Sequence, residues 1–367
     1  MPTALETTPP IVRRARVTAL GLFDVSYAAD LAKARALCTD MAVATGLAGP
    51  LTFDVPPLRL QYATVEIPVG AATLTGEVAV HLYDFGAIAL AITFVLDDLP
   101  WARFVETARL IEEALALDKP SAPWTAFLAD AKARFLPALE RPNEAVIQED
   151  YQLIEIDAFA APLPDVLHKV VDLSPLLAGD PRPLSVETRE TLLKHRFGYL
   201  ADDCVVVTRD RALLYQPGGD AGVAAVLEVA NAQLLELRYY GNLLDDELPR
   251  MYDLVDRTRT VPAFSAPAQL SRLARRLYTV WAEVTELTER VENALEATGH
   301  PYLATVYTAT LELFGVPGLS TAVDRKLEIV RDTYAALYDE ASVSRAGLLE
   351  ITIVVLIAVE LVLALIK

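Results

Sequence analysis

The stretch Glu77-VAVHLYDFGAIALAITF-Val95 decides the fold. It holds two apolar runs, Glu77–Tyr83 and Ala87–Val95, on either side of Asp84-Phe85-Gly86. Runs of this length, rich in β-branched and aromatic residues, read as strands, and the glycine supplies the unusual backbone angle of a hairpin turn. The reading is a β-hairpin. Towards the N-terminus, Leu60–Pro68 alternates as a strand, Ala28–Thr45 reads as an Ala-rich helix and Arg16–Phe23 as another strand. Towards the C-terminus, Pro100 opens a helix to about Leu117, with Trp101, Phe104, Val105, Ala108, Ile111 and Leu115 on one face. A second helix follows over Trp124–Glu140.

The next segment has a similar order. Tyr151–Phe159 reads as a strand and Val186–His195 as a helix. Tyr199–Thr208 and Ala212–Gln216 form a hairpin around Asp210-Arg211, and a long helix runs from about Ala221 to Val255. The expectation is an α+β protein with two related strand-helix-hairpin-helix modules, 15–145 and 146–262, after a disordered Pro/Thr-rich N-terminus, 1–14.

From 263 to 347 the pattern changes. Leu270, Leu273, Leu277, Val280, Val284, Leu287, Val291 and Ala294 recur at spacings of three and four, the seam of a coiled coil. Gly299-His300-Pro301 and Gly315-Val316-Pro317-Gly318 break the helix. Val323, Leu327, Val330, Tyr334, Leu337 and Ala341 form a second seam. The two seams are expected to pack as an antiparallel helical hairpin, a stalk, and helix is expected to continue from Ser320 almost without interruption to Ile366.

Residues 348–366, Leu348-LEITIVVLIAVELVLAL-Ile366, read as one transmembrane helix. Fourteen of them are Leu, Ile or Val. Nineteen residues reach roughly 28 Å, close to the thickness of the hydrocarbon core. The apolar residues favour insertion by about 4 to 8 kcal/mol, against about 3 kcal/mol for a charged residue such as Glu360. At 100° per residue, Glu350, Ile353, Ile357, Glu360 and Ala364 share one stripe. A carboxylate at that depth usually faces protein or water, so the stripe is expected to contact lipid-embedded neighbours, including other copies of the chain. With no signal-like segment at the N-terminus, the head is expected in the cytoplasm, under a single-pass anchor in a bacterial inner membrane.

The formal net charge of −18 argues against a nucleic-acid surface and against a broad grip on anionic lipid. Cys38 and Cys204 read as buried free thiols. His81, His168, His195 and His300 show no metal-ligand spacing, and no cofactor or metal is expected. Asp84-Phe85-Gly86 mimics a kinase motif without the Gly-rich loop that would accompany it. Trp101, Trp124 and Trp281 lie on apolar helical faces and read as core. Arg238, Tyr239, Tyr240 and Asp245 form a polar cluster on one helical stretch. They are candidates for docking a protein partner, set against the plainer reading of an internal ion pair beside half-buried tyrosines.

Three segments taken together, His81-LYDFGAIALAITF, Glu228-VANAQLLELRYYGNLLDDELPRMYDL and Arg345-AGLLEITIVVLIAVELVLALI, resemble the YagE family, also called the "required for meiotic nuclear division" family. The resemblance runs from about residue 60 onwards. Members usually carry Asp after the Tyr-Tyr pair, where this chain has Gly241. The resemblance implies a membrane-anchored, self-associating protein, and eukaryotic relatives support organellar translation at the mitochondrial inner membrane. The function expected first is therefore a tail-anchored homo-oligomeric scaffold or tether that holds a partner at the membrane without catalysis. The alternatives are an enzyme with a site in a cleft between the two modules, or an oligomeric channel using Glu360.

Overall fold

The computed structural model describes residues 10–42, 55–143, 147–180, 182–218, 222–259 and 300–366, together with 272, 275, 278, 279, 281, 282, 284 and 285. Along 254–259 and 339–366 it gives the backbone, with side chains only for Ile353, Val354 and Ile357. The chain forms two compact units, Met1–Glu236 with Val291–Val316, and Leu237–Arg290 with Pro317–Lys367.

The first unit is built on one mixed sheet. Its strands are β1 (Ile11–Asp24), β3 (Leu58–Val69), β4 (Ala72–Leu82), β5 (Ala87–Pro100), β7 (Gln148–Phe159), β8 (Arg196–Phe197), β9 (Cys204–Val207) and β10 (Arg211–Tyr215). Their order is β3-β4-β5-β1-β7-β10-β9-β8. Neighbours run antiparallel except β7 and β10, which are parallel. Two short strands, β2 (Ser26–Ala29) and β6 (Leu139–Pro142), pair separately.

The mixed α+β architecture stands as expected, but its division into modules does not. The strands of 15–145 and 146–262 belong to one sheet, because β1 pairs with β5 on one side and with β7 on the other. The parallel β7/β10 pair then requires a crossover, which the short helices α4 (Leu167–Val170), α5 (Ser174–Ala178) and α6 (Val186–Leu192) occupy.

Side-chain alternation gives the sheet two buried faces. Val17, Val78, Val80, Leu90, Ile92, Phe94 and Ile154 join one core with helices α2 (Trp101–Leu115) and α3 (Trp124–Phe135). In α2 the buried residues are Trp101, Phe104, Ala108, Ile111 and Leu115, the helical spacing visible in the sequence. Each large apolar side chain removed from water there stabilises the fold by about 1.5–3 kcal/mol. Trp124 closes the helix pair by donating its indole N–H to Leu115 O at 2.7 Å.

The helix expected over Ala28–Thr45 shrinks to α1 (Leu31–Leu37), and residues 43–45 lie outside the described ones. Tertiary hydrogen bonding overrides the alanine preference. Ala28 pairs with Glu140 in the small sheet, and Ala29 N donates to Asp84 O at 2.8 Å. Asp30 then caps α1 by accepting from Lys33 N at 2.9 Å. The hairpin turn leans on the same segment: Val25 N donates to Gly86 O at 3.2 Å. Gly86 sits at φ 94°, and a Cβ there would lie 1.9 Å from Ser26 O.

The opposite sheet face is covered by the first half of α7 (Val223–Arg259), with α8 (Pro301–Phe314) beside it. Tyr307 on α8 donates to Gln233 Oε1 on α7 at 2.6 Å, and Phe314 packs edge-on against Tyr151 of β7 at 5.7 Å. Gly315 ends α8 in the left-handed conformation.

In the second unit, α9 (Val316–Ile366) is a single helix of 51 residues, roughly 77 Å long. Its seam residues Val323, Leu327, Val330 and Leu337 are buried, as are Leu244 and Met251. Tyr334 of the second seam packs against Tyr278, which lies beside the first seam and is not one of its residues, at 5.7 Å. Most of the first seam, 270–294, lies outside the described residues. Among the described residues, no helix is long and apolar enough to cross a membrane. Most side chains of the expected span, 348–366, fall outside them.

Candidate functional site

Every position from Val223 to Leu237 is buried, so this part of α7 carries its polar residues into the interior. Buried polar groups need partners. Asn231 Nδ2 donates to Leu227 O at 2.8 Å and Gln233 takes the Tyr307 hydroxyl. Glu228, 1 % exposed, takes two groups from the end of β4 and the turn after it. The Tyr83 hydroxyl donates to Glu228 Oε1 at 2.5 Å, and His81 Nδ1 lies 2.7 Å from the same oxygen. An ionised carboxylate only accepts, so Nδ1 carries the proton in this contact.

Burial by itself would push the Glu228 carboxyl up. The charges of His81 and Arg59, with hydrogen bonds from His81 and Tyr83, outweigh it and hold the group down at about 2. Burial, and then the Glu228 charge, push the Tyr83 phenol well above its ordinary range, so it stays a neutral donor. Tyr83 stacks on Phe85 at 5.0 Å. Arg59, opposite His81 on β3, completes the group. Its Nε and Nη2 are buried and have no hydrogen-bond partner among the described residues.

A cleft of about 220 Å³ opens beside this cluster. The strand register explains its shape. Ala79 pairs with Ala91 and Ala91 with Leu20, while Thr93 pairs with Thr18. Small side chains on adjacent central strands leave a depression, and the Thr18 and Thr93 hydroxyls bond across its floor at 2.9 Å. Gln61 and Glu77 stand along one side. At the far end, Arg16 Nη2 reaches Glu155 Oε1 and Asp157 Oδ1, both at 3.2 Å. The start of α7, at Ala224, forms part of the wall.

A carboxylate behind an imidazole fixes the ring's tautomer and direction, an arrangement used by general bases and by metal-bound histidines. Among the described residues, no group of three His, Cys, Asp or Glu could hold a metal ion. Cys38 and Cys204 are free and buried.

A second buried carboxyl lies at the end of β1. Asp24 Oδ2 accepts from Asn143 Nδ2 at 2.6 Å. Burial pushes its carboxyl up to about 7, against the opposing pull of the Asn143 hydrogen bond and the Lys132 charge.

The residues singled out in the sequence lie elsewhere. Arg238, Tyr239, Tyr240 and Asp245 follow one another on α7, but only Asp245 of the four is exposed, and it pairs with Lys326 Nζ at 2.7 Å. Tyr240 is 1 % exposed and packs against Tyr239 at 5.6 Å, so it is a core residue and not a docking surface. Ile353 and Ile357 are exposed on α9, while the side chains of Glu350, Glu360 and Ala364 lie outside the described residues. The sequence reading passed over Glu228, His81 and Arg59 as site residues. A signal was present, in that a carboxylate, Asn231 and Gln233 interrupt an otherwise apolar run at the start of a long helix.

The family described as "Uncharacterized protein MJ0711, N-terminal domain" matches residues 14–221, more than half of the chain, and the chain belongs to it. The matched segment spans the whole sheet apart from the first residues of β1. It also contains the cleft residues except those on α7. The chain is similar to the uncharacterized protein MJ0711 of Methanocaldococcus jannaschii, at 24 % identity over 233 residues, covering 63 % of this chain and 70 % of that protein. No solved structure matches the chain.

Proposed function

We propose that this protein is a membrane-anchored scaffold. An acidic α+β head is held at a cytoplasmic membrane by the end of α9, and it self-associates through that helix to present a partner there. One observation carries this reading. The described side chains near the end of α9, Ile353, Val354 and Ile357, are 55 %, 61 % and 51 % exposed, within a stretch where fourteen of nineteen residues are Leu, Ile or Val. An apolar surface of that kind is covered by lipid or by other copies of the chain. The resemblance to the YagE family supports the same reading. An enzyme remains the alternative, with its site in the cleft on one face of the shared sheet.

The test is fractionation. The full chain is expected to stay with membranes through an alkaline wash, and a chain ending at residue 347 to appear in the supernatant. A full chain that is soluble and monodisperse without detergent would remove the anchor. Glu360→Leu is expected to leave membrane association intact and to lower the oligomer mass in detergent. An unchanged mass would exclude Glu360 from the contact.

A further inference from the structure

We infer that the sheet-face cleft binds a small molecule bearing an oxyanion, a carboxylate or a phosphate, which docks on the Nε–Nη2 edge of Arg59. This inference is independent of how the protein meets a membrane.

The decisive group is the Arg59 guanidinium. Nε and Nη2 lie on the same edge, and their two parallel N–H groups match the two oxygens of a carboxylate or a phosphate. In Arg59 both nitrogens are buried and neither has a hydrogen-bond partner among the described residues. Leaving such donors unpaired is costly, and more so when the group is charged. Glu228 does not relieve this. Its charge acts on Arg59, but Oε1 is the oxygen that already takes the Tyr83 and His81 hydrogen bonds. Arg59 is thus charge-compensated while its forked edge makes no hydrogen bond among the described residues, and the residue lines the cleft.

The surroundings suit an anion with a polar body. The positive end of the α7 dipole is at Ala224, in the cleft wall. Beyond Arg59 the floor offers the Thr18 and Thr93 hydroxyls, with Gln61 alongside. These groups suit a hydroxyl-bearing chain more than an apolar one. Glu77 and Glu155 line the same cleft and disfavour a second anionic group, so the fitting ligand carries its negative charge at one end.

The experiment uses the full chain in detergent, with inorganic phosphate and glycerate, a hydroxyl-bearing monocarboxylate, as separate probes against chloride at matched ionic strength, read by calorimetric titration and thermal melting. At least one probe is expected to bind saturably in the millimolar range. Phosphate binding alone would assign a phosphate ligand, and glycerate binding alone a carboxylate. Arg59→Gln is expected to weaken binding by about tenfold or more, the loss of a charged hydrogen-bonded pair. Ala79→Leu fills the half-buried floor and leaves every charged group in place, so it should weaken binding similarly. It decides the matter if the arginine variant fails to fold. The proposal is overturned if neither probe binds saturably, or if binding persists unchanged in Ala79→Leu.

Discussion

His81 Nδ1 and Glu228 Oε1 lie 2.7 Å apart in the interior, although 147 residues separate them in the chain. The contact ties the central hairpin to the helix that closes the sheet's second face. It is a buried pair with a neutral phenol as a third member, so its loss and its titration have measurable consequences.

Removing the carboxylate leaves His81, Arg59 and Tyr83 turned towards an apolar helix. Glu228→Ala is expected to destabilise the first unit by about 3–5 kcal/mol. The pH dependence has a definite sign. The folded carboxyl titrates at about 2 and the ordinary value is 4.5. Its contribution, about 3 kcal/mol, is complete above pH 4.5 and disappears as pH falls towards 2. Urea midpoints between pH 6 and pH 2 should fall steeply for the native chain and less for the variant. Parallel curves would exclude the pair as the source.

Asp24 behaves in the opposite sense. Its folded value of about 7 lies above the ordinary 3.8, so it favours folding below pH 3.8 and that contribution is lost as pH rises through 7. Asp24→Asn keeps a group that can accept from Asn143 and removes the titration. The variant should gain up to about 4 kcal/mol relative to the native chain at pH 8 and little at pH 4. Equal differences at both pH values would contradict the assignment.

Gly86 has no room for a side chain. Its φ of 94° and a Cβ position 1.9 Å from Ser26 O mean that Gly86→Ala must move either the turn or β2. The expected cost is about 3 kcal/mol or more, visible as a lower melting temperature and loosened amide exchange at Val25 and Ala29.

Lys326 provides the contrast. It pairs with Asp245 at 2.7 Å, but the Asp245 side chain is 63 % exposed. Lys326→Ala should cost under about 1 kcal/mol, with the difference shrinking further in high salt. A cost comparable to that of Glu228→Ala would show that exposure misjudges this pair.

What could be read in the sequence was mostly local. The hairpin at 77–95 and the buried face of α2 follow from spacing within a few residues, and both segments fold as that spacing predicts. The helix expected over 28–45 failed where the backbone found distant partners, Glu140 and Asp84, which alanine content cannot anticipate. The order strand, helix, hairpin, helix occurs twice and invited two modules. Nothing in either half announces that β1 sits between strands of both. The candidate site was half visible. Two of the segments that form it, His81–Phe85 and the start of α7, were picked out as distinctive, but the hydrogen bond joining them depends on the completed sheet, and Arg59 on β3 was not singled out. The docking residues chosen on α7 lie about three to five turns past Glu228, where polarity was conspicuous in the sequence and burial was not.

The place of β1 in the sheet has a consequence for how the chain is made. β1 is an interior strand that leaves the ribosome before either of its partners, and both its edges wait for β5 and β7, which are synthesised later. Until then an apolar ribbon with two open edges is available to any other chain. Arg13, Arg14 and Arg16 punctuate that ribbon at its start, where they later meet Asp98, Asp157 and Glu155. Before those acids arrive, the three positive charges oppose pairing with another nascent copy and act as gatekeepers against premature association.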